Sequence, residues 1–292
     1  MKITASMVKD LRTKTGAGMM DCKKALVEAE GDMEKAVDIL REKGLSKAAK
    51  KASRVAAEGA VVSAISADGK TGTIVEVNCE TDFVGGNDAF RALASSIAQQ
   101  ILDTNPADVE ALLATEMNGK TVKDTVTEAV AKIGENISIR RFVRYESQEG
   151  QVYSYIHGGG KIGVLVELKG GDAELGKDIA MQIAAANPSY LDRTQVPQSE
   201  VEHEKEVLAV EARNEGKPEK IIEKMVMGRI NKFYKEVCLV DQEFIKDGDL
   251  TISKLLKSKK AEAVRFARFQ LGEGIEKKQD DLAAEVAKQL NQ

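Results

Sequence analysis

Residues 58–77, EGAVVSAISADGKTGTIVEV, decide how this chain is read, because they recur without a gap at 149–168 as EGQVYSYIHGGGKIGVLVEL. Ten of the twenty positions are identical: Glu58/Glu149, Gly59/Gly150, Val61/Val152, Ser63/Ser154, Ile65/Ile156, Gly69/Gly160, Lys70/Lys161, Gly72/Gly163, Val75/Val166 and Glu76/Glu167. Average residue frequencies would give about one match. In the first copy, Ala60–Ser66 and Thr73–Asn78 are rich in strand formers and flank Asp68-Gly69-Lys70, a hairpin signal. The second copy is therefore read as a hairpin of Gln151–His157 with Gly163–Lys169. A helix follows each, with Ile97-Ala98-Gln99-Gln100-Ile101 matched by Ile179-Ala180-Met181-Gln182-Ile183. Both halves also carry Gly-Glu-x-Ile beside an expected strand, at 134–137 and 272–275. The pattern predicts an α+β fold built as a duplicated core, with antiparallel sheets covered by helices on one face.

Outward from the hairpins the copies differ. The alignment offset is 91 in the hairpin and 82 in the helix, so the first copy holds an insert at Cys79-Glu80-Thr81-Asp82-Phe83-Val84-Gly85-Gly86. It sets a carboxylate and an aromatic on a loop, where contact residues concentrate. On this ground alone Phe83 either faces a partner or turns inward to fill a gap. The second copy has its own insert. Ser199-Glu200-Val201-Glu202 reads as a capping box opening a charged helix to about Asn214. Gly216-Lys217-Pro218 is a turn, and a second helix continues to Phe233, giving an antiparallel coiled-coil hairpin that serves as a partner arm or a spacer. A short strand near Cys238–Val240, a helix at Ile252–Leu256, a strand at Val264–Leu271 and a C-terminal helix from about Asp280 to Leu290 complete this half.

Upstream, residues 4–45 read as three short helices, the first capped by Thr4 and ended by Gly16, the third stopping at Gly44. Lys47, Lys50, Lys51 and Arg54 then share one face of a helical or linker stretch. Such a run reads as a solvated face, with an RNA or acidic-protein contact as the alternative. Between the copies lie helices at Phe90–Leu102, Ala107–Met117 and Thr121–Ile133 and a strand at Ile137–Tyr145.

Composition narrows the function. Acids and bases nearly balance at a net charge of −4, aromatics make up 4% and there is no Trp, which argues against a dedicated nucleic-acid binder. Cys22, Cys79 and Cys238 are far apart and read as small buried hydrophobes of a reducing compartment. The stretch MKITASMVKD has no apolar segment of signal-peptide type, and no apolar run approaches membrane-spanning length, so a cytoplasmic protein is expected. Gly171–Lys177 resembles the start of a phosphate loop, but Asp178 stands where Ser or Thr is needed. Gly158–Gly163 fits G-x-G-x-x-G but precedes a strand, and Asn231-Lys232-Phe233-Tyr234 lacks the Asp of a guanine-recognition motif. His157 and His203 are the only histidines. No nucleophile elbow, triad or zinc site is indicated. No cofactor or metal, no catalytic residue and no direct nucleotide binding are expected.

Several motifs together resemble the elongation factor Ts family. Thr15-Gly16-Ala17-Gly18-Met19-Met20-Asp21-Cys22-Lys23-Lys24-Ala25-Leu26 looks like its N-terminal signature, and Glu76-Val77-Asn78-Cys79-Glu80-Thr81-Asp82-Phe83-Val84 is similar to its second. Lys132–Ile137, His157-Gly158 and Gly272–Lys277 follow in family order. After Val84 this chain has Gly85-Gly86-Asn87 where familiar members carry an Ala-Lys type of sequence.

The resemblance implies a ubiquitin-associated-like helical domain with a basic linker over 1–54, core subdomains over 55–148 and 149–275, a coiled-coil insert at about 198–235, and a C-terminal helical module over 276–292. It implies a guanine-nucleotide exchange factor that binds elongation factor Tu carrying GDP and performs no covalent chemistry. A non-catalytic adaptor or ribosome-associated module is the alternative. By the same resemblance Arg12, Met19, Met20 and Lys23 press on a helix of the partner's GTP-binding domain. Thr81, Asp82, Phe83 and Val84 disturb its magnesium and phosphate site, and His157 lies near that contact.

Overall fold

The computed structural model describes residues 3–276. Three helices open the chain: α1 Ala5–Thr15, α2 Met19–Glu28 and α3 Met33–Lys51. The Thr4 hydroxyl accepts the Met7 N–H, and the Asp32 carboxylate accepts those of Glu34 and Lys35, so α1 and α3 start on side-chain caps. Gly16 ends α1 in the left-handed region at φ 67°. Leu11, Cys22, Ala25, Leu26 and Ala36 form the fully buried centre of the bundle.

The third helix does not stop at Gly44. It runs on to Lys51, and a Cβ at position 44 would sit 3.3 Å from the Ala131 Cβ. The glycine lets this helix cross closely over the one that carries Ala131, and that packing outweighs its poor helix propensity of ~1 kcal/mol.

The duplicated region begins with β1 Glu58–Ile65 and β2 Thr71–Cys79. It continues through α4 Asp82–Gly85, α5 Asp88–Thr104, α6 Val109–Ala114, β3 Glu116–Met117, β4 Lys120–Thr121, α7 Val122–Ile133 and β5 Ser138–Glu146. The expected helix over Ala107–Met117 is shorter, because Thr115 leaves helical geometry and Glu116–Met117 pairs with Lys120–Thr121. The second copy comprises β6 Gln151–His157, β7 Ile162–Lys169 and α8 Ala173–Ala186. The arm follows as α9 Gln198–Asn214 and α10 Glu219–Val237, then β8 Glu243–Phe244, β9 Asp247–Thr251, α11 Ile252–Ser258 and β10 Glu262–Gln270.

Two three-stranded sheets share one order, β1-β2-β5 and β6-β7-β10, with the second hairpin strand in the middle of each. In the second sheet both neighbours run antiparallel to β7. The central strands are buried almost throughout, and α5 and α8 lay apolar faces inward through Ile97 and Ile101 in one copy and Ile179 and Ile183 in the other. The match extends to the third strands. Arg141 Nε donates to Glu76 at 2.7 Å, and Arg265 Nε donates to Glu167 at 2.6 Å. Arg141-Phe142-x-Arg144 and Arg265-Phe266-x-Arg268 are therefore sister segments. Gly-Glu-x-Ile, by contrast, is not a repeat element: it precedes β5 in one half and follows β10 in the other.

The arm is held by Val201, Leu208 and Ala212 of α9 against Ile222, Val226 and Ile230 of α10. Its first helix starts at Gln198 on Pro197, with no side-chain cap, so Ser199 lies inside the first turn and the expected capping box is absent. Cys238–Val240 is not a strand. Leu239–Asp241 forms a 3-10 turn, and Cys238 makes one isolated bridge to Tyr190. The expected C-terminal helix from Asp280 to Leu290 lies outside the described residues.

The described chain packs as two compact units. One comprises residues up to Val61, Val75–Phe142 and the chain from Leu271; the other comprises Val62–Ile74 and Val143–Gln270.

Candidate partner-binding site

The insert after β2 folds into a small, tightly held tip. Thr81 is extended at φ −123° and its hydroxyl accepts the Val84 N–H at 3.4 Å, which nucleates the single turn of α4. Asn87 then caps α5, its side-chain oxygen accepting the Ala89 and Phe90 amides. Between the caps, Gly85 is buried against Gly59, and a Cβ there would lie 2.9 Å from the Gly59 carbonyl oxygen.

Glu135, in the turn between α7 and β5, holds the tip from the side. One carboxylate oxygen accepts the Glu80 and Thr81 amides at 3.1 and 3.0 Å, and the other accepts the Thr81 hydroxyl at 2.7 Å. In return Glu80 accepts the Asn136 amide at 2.6 Å and pairs with Arg54 at 3.4 Å. Charge-assisted bonds to backbone amides are strong, and this reciprocal set fixes the start of the loop at Glu80 and Thr81. Cys79 lies beneath, its thiol donating to the Thr81 carbonyl at 3.1 Å. Burial, reinforced by the Glu135 carboxylate, pushes that thiol up to about 12, in keeping with a thiol packed in the interior.

On this braced turn Phe83 is 87% exposed, the most exposed large apolar side chain among the described residues. Asp82 beside it is exposed, and Thr81 and Val84 are half-buried. The inward alternative for Phe83 does not hold. The neighbouring Phe90, in the first turn of α5, is by contrast fully buried. A phenyl ring left in water is unfavourable by roughly 2 kcal/mol relative to burial.

The other expected residues fall in two places. Met19 and Met20 are 57% and 61% exposed on α2, with Lys23 exposed one turn on. Val27 continues the stripe at 59% exposure, seven residues from Met20 and so on the same helical face. Arg12 is exposed in the last turn of α1. His157 belongs to the other unit; it is exposed at the end of β6, its Nδ1 3.1 Å from the Tyr155 hydroxyl.

Sequence reasoning missed Val27, and it marked Glu135 only as part of the motif at 134–137, without its hold on the tip. The i, i+7 spacing from Met20 was available for the first. The second acts across 54 residues of chain, which local patterns do not register.

Of the basic stripe, Lys47 pairs with Asp21 at 2.9 Å, Lys51 donates to the Gly134 carbonyl and Arg54 meets Glu80. Much of it therefore fastens α3 to its neighbours. Among the described residues there is no cluster of three or more metal-ligating side chains, and no helix is long and apolar enough to cross a membrane.

Fold and surface define a class: a helical bundle joined to a duplicated α+β core that displays large apolar side chains on one helix and on one copy's braced loop. The profile of the family described as Elongation factor TS matches residues 80–273. Elongation factor Ts of Clostridium perfringens strain SM101 is 56% identical over 298 residues, covering 98% of each chain. Those of Clostridium acetobutylicum and Halorhodospira halophila are 56% and 54% identical, each covering 99% of both chains. The chain belongs to the elongation factor Ts family and is thus a translation elongation factor.

Proposed function

We propose that this protein is a guanine-nucleotide exchange factor that binds elongation factor Tu carrying GDP and promotes GDP release. The observation that carries the reading is the exposure of Phe83 on a loop held rigid by Glu135. A side chain prepositioned in this way enters a partner with little further loss of conformational freedom.

The mechanism is thermodynamic coupling. The partner holds GDP through magnesium and a phosphate-cradling loop. A protein that binds the nucleotide-free shape more tightly must weaken GDP by the same factor. Phe83 would wedge beside the phosphate site, Asp82 would compete with the nucleotide for the local cations, and Thr81 and Val84 would set the angle of entry. Met19, Met20, Lys23 and Arg12 would press on a helix of the GTP-binding domain. His157 would lie near the loop contact, and the second subdomain would brace against another domain of the partner. No bond is made or broken, and no cofactor, metal or nucleotide is held by this chain. The domain boundaries at 54/55, 148/149 and 275/276 and a cytoplasmic location belong to the same proposal.

Stopped-flow release of a fluorescent GDP analogue from elongation factor Tu tests it. Addition of this chain should accelerate release in proportion to its concentration until saturation. Binding without acceleration would favour a non-catalytic adaptor instead.

A further inference from the structure

A second binding feature lies within the first unit. The α1–α2 turn, the middle of α3, the β3–β4 hairpin and the outer face of α7 enclose a cleft of about 940 Å³. That is near the upper end of ordinary ligand pockets, with room for several residues of a peptide. Neither the tip at Phe83 nor the Met19–Met20 pair lines it.

Charge pairing inside the cleft is incomplete. Lys47 is matched to Asp21 at 2.9 Å, Arg41 to Asp124 at 3.3 Å, and Lys120 to Glu128 at 2.6 Å. Lys43 is matched to Glu28. Among the described residues Lys14, Lys50 and Lys132 form no ion pair, and Asp38 is the remaining lining carboxylate. Three ammonium groups thus stand over one acid. Lys132 is directed at the end of α1, its Nζ 3.5 Å from where a Gly16 Cβ would sit. Val37, Leu40 and Leu45 supply apolar lining between the charges, and Leu45 is 46% exposed.

We infer that this cleft binds an acidic, leucine-bearing segment of a protein partner. Carboxylates of an extended peptide meet the three free ammonium groups, and its apolar side chains cover Leu45 and Leu40. A polyanionic nucleic acid fits worse. The four lining carboxylates repel continuous phosphate, and no aromatic side chain is present to stack a base. The inference stands apart from the exchange reading, because it uses other residues.

The test uses the full chain and a fluorescein-labelled decapeptide of glutamates with two leucines four residues apart, followed by anisotropy at low salt, where screening is weak. Saturable binding is expected. Lys50→Glu with Lys132→Glu should weaken it about tenfold, since two attractions become repulsions. Leu45→Asp should weaken it about fivefold through lost apolar cover and added charge. The exposure of Leu45 leaves that variant folded should the lysine pair disturb the bundle. A peptide of glutamates alone should bind more weakly than the leucine-bearing one. Equal affinity of the parent and both variants overturns the inference, as does tighter binding of a single-stranded oligonucleotide of equal charge.

Discussion

The connection that follows each hairpin separates the two copies more sharply than anything in their sheets. In the second copy β7 reaches α8 through residues 170–172 alone; in the first, β2 reaches α5 through residues 80–87. The short link is closed by Gly170 and Gly171, both in the left-handed region, and Asp172 caps the helix. The long link builds a turn of its own, an external clamp and an outward phenyl ring. The first copy thus carries an exposed phenyl ring on a connection that the second copy makes without one. An element surplus to folding is where function is to be sought.

The scaffold side of this comparison carries the largest expected effects. A Cβ at Gly59 would lie 2.2 Å from the Val77 carbonyl oxygen, and one at the sister Gly150 would lie 2.1 Å from that of Leu168. Gly59→Ala and Gly150→Ala should each destabilise the fold by about 3 kcal/mol in urea unfolding. Tolerance at one site and not the other would break the equivalence of the hairpins. Phe83→Ala should do the reverse, leaving the melting temperature unchanged while stimulated GDP release falls about thirtyfold, the ~2 kcal/mol expected of an aromatic hot spot. Unaltered release by the folded variant would remove the tip from the mechanism.

Glu135→Gln keeps the shape of the clamp but not its charge. A loss of about 1.5 kcal/mol of loop order is expected, read as faster hydrogen exchange at the Glu80 and Thr81 amides with the 170–172 link unaffected.

The smallest effect distinguishes the sister carboxylates. Glu76 is fully buried and accepts from Arg140, Arg141, Asn78 and the Gly272 amide, whereas Glu167 takes an ion pair from Arg265. Burial pushes the Glu76 carboxyl up, but the Gly272 amide and the guanidinium groups together outweigh it and hold it below its ordinary 4.5. A depressed folded-state pKa stabilises above the ordinary value and loses that stabilisation as pH falls through the folded one. Glu76→Gln should therefore be less stable than Glu167→Gln by about 1 kcal/mol at pH 7. Acid titration monitored by circular dichroism should show the Glu76→Gln and parent curves converging below pH 4.5.

What was legible in the sequence followed from local chemistry. The hairpins announced themselves through strand formers around Asp68-Gly69-Lys70, and the tip through a shift in register between two aligned copies. What stayed hidden was settled across the fold. Gly44 looks like a helix stop until Ala131 is set against it. Ser199 looks like a cap until Pro197 places it inside the helix. The short pairing of Glu243–Phe244 with Asp247–Thr251 has too few residues to show a period. The sister segments at Arg141 and Arg265 were readable in principle, yet two matched arginines and a phenylalanine are a weak signal until both guanidinium groups meet sister glutamates. For the candidate site, the sequence marked Phe83 and the methionines, but it left open whether Phe83 faces out, which its exposure in the fold settles.

The outer part of the first hairpin, Val62–Ile74, is grouped with the second unit. Ser63 donates to Ser154 at 3.0 Å, Lys70 Nζ donates to the Gly150 carbonyl at 2.7 Å, and Gly72 makes room for Val152 and Leu165. The sequence repeat and the compact units therefore do not share a boundary, and neither copy is portable by itself. A polypeptide starting at residue 149 would lack Val62–Ile74, the segment of the first hairpin that completes its own compact unit.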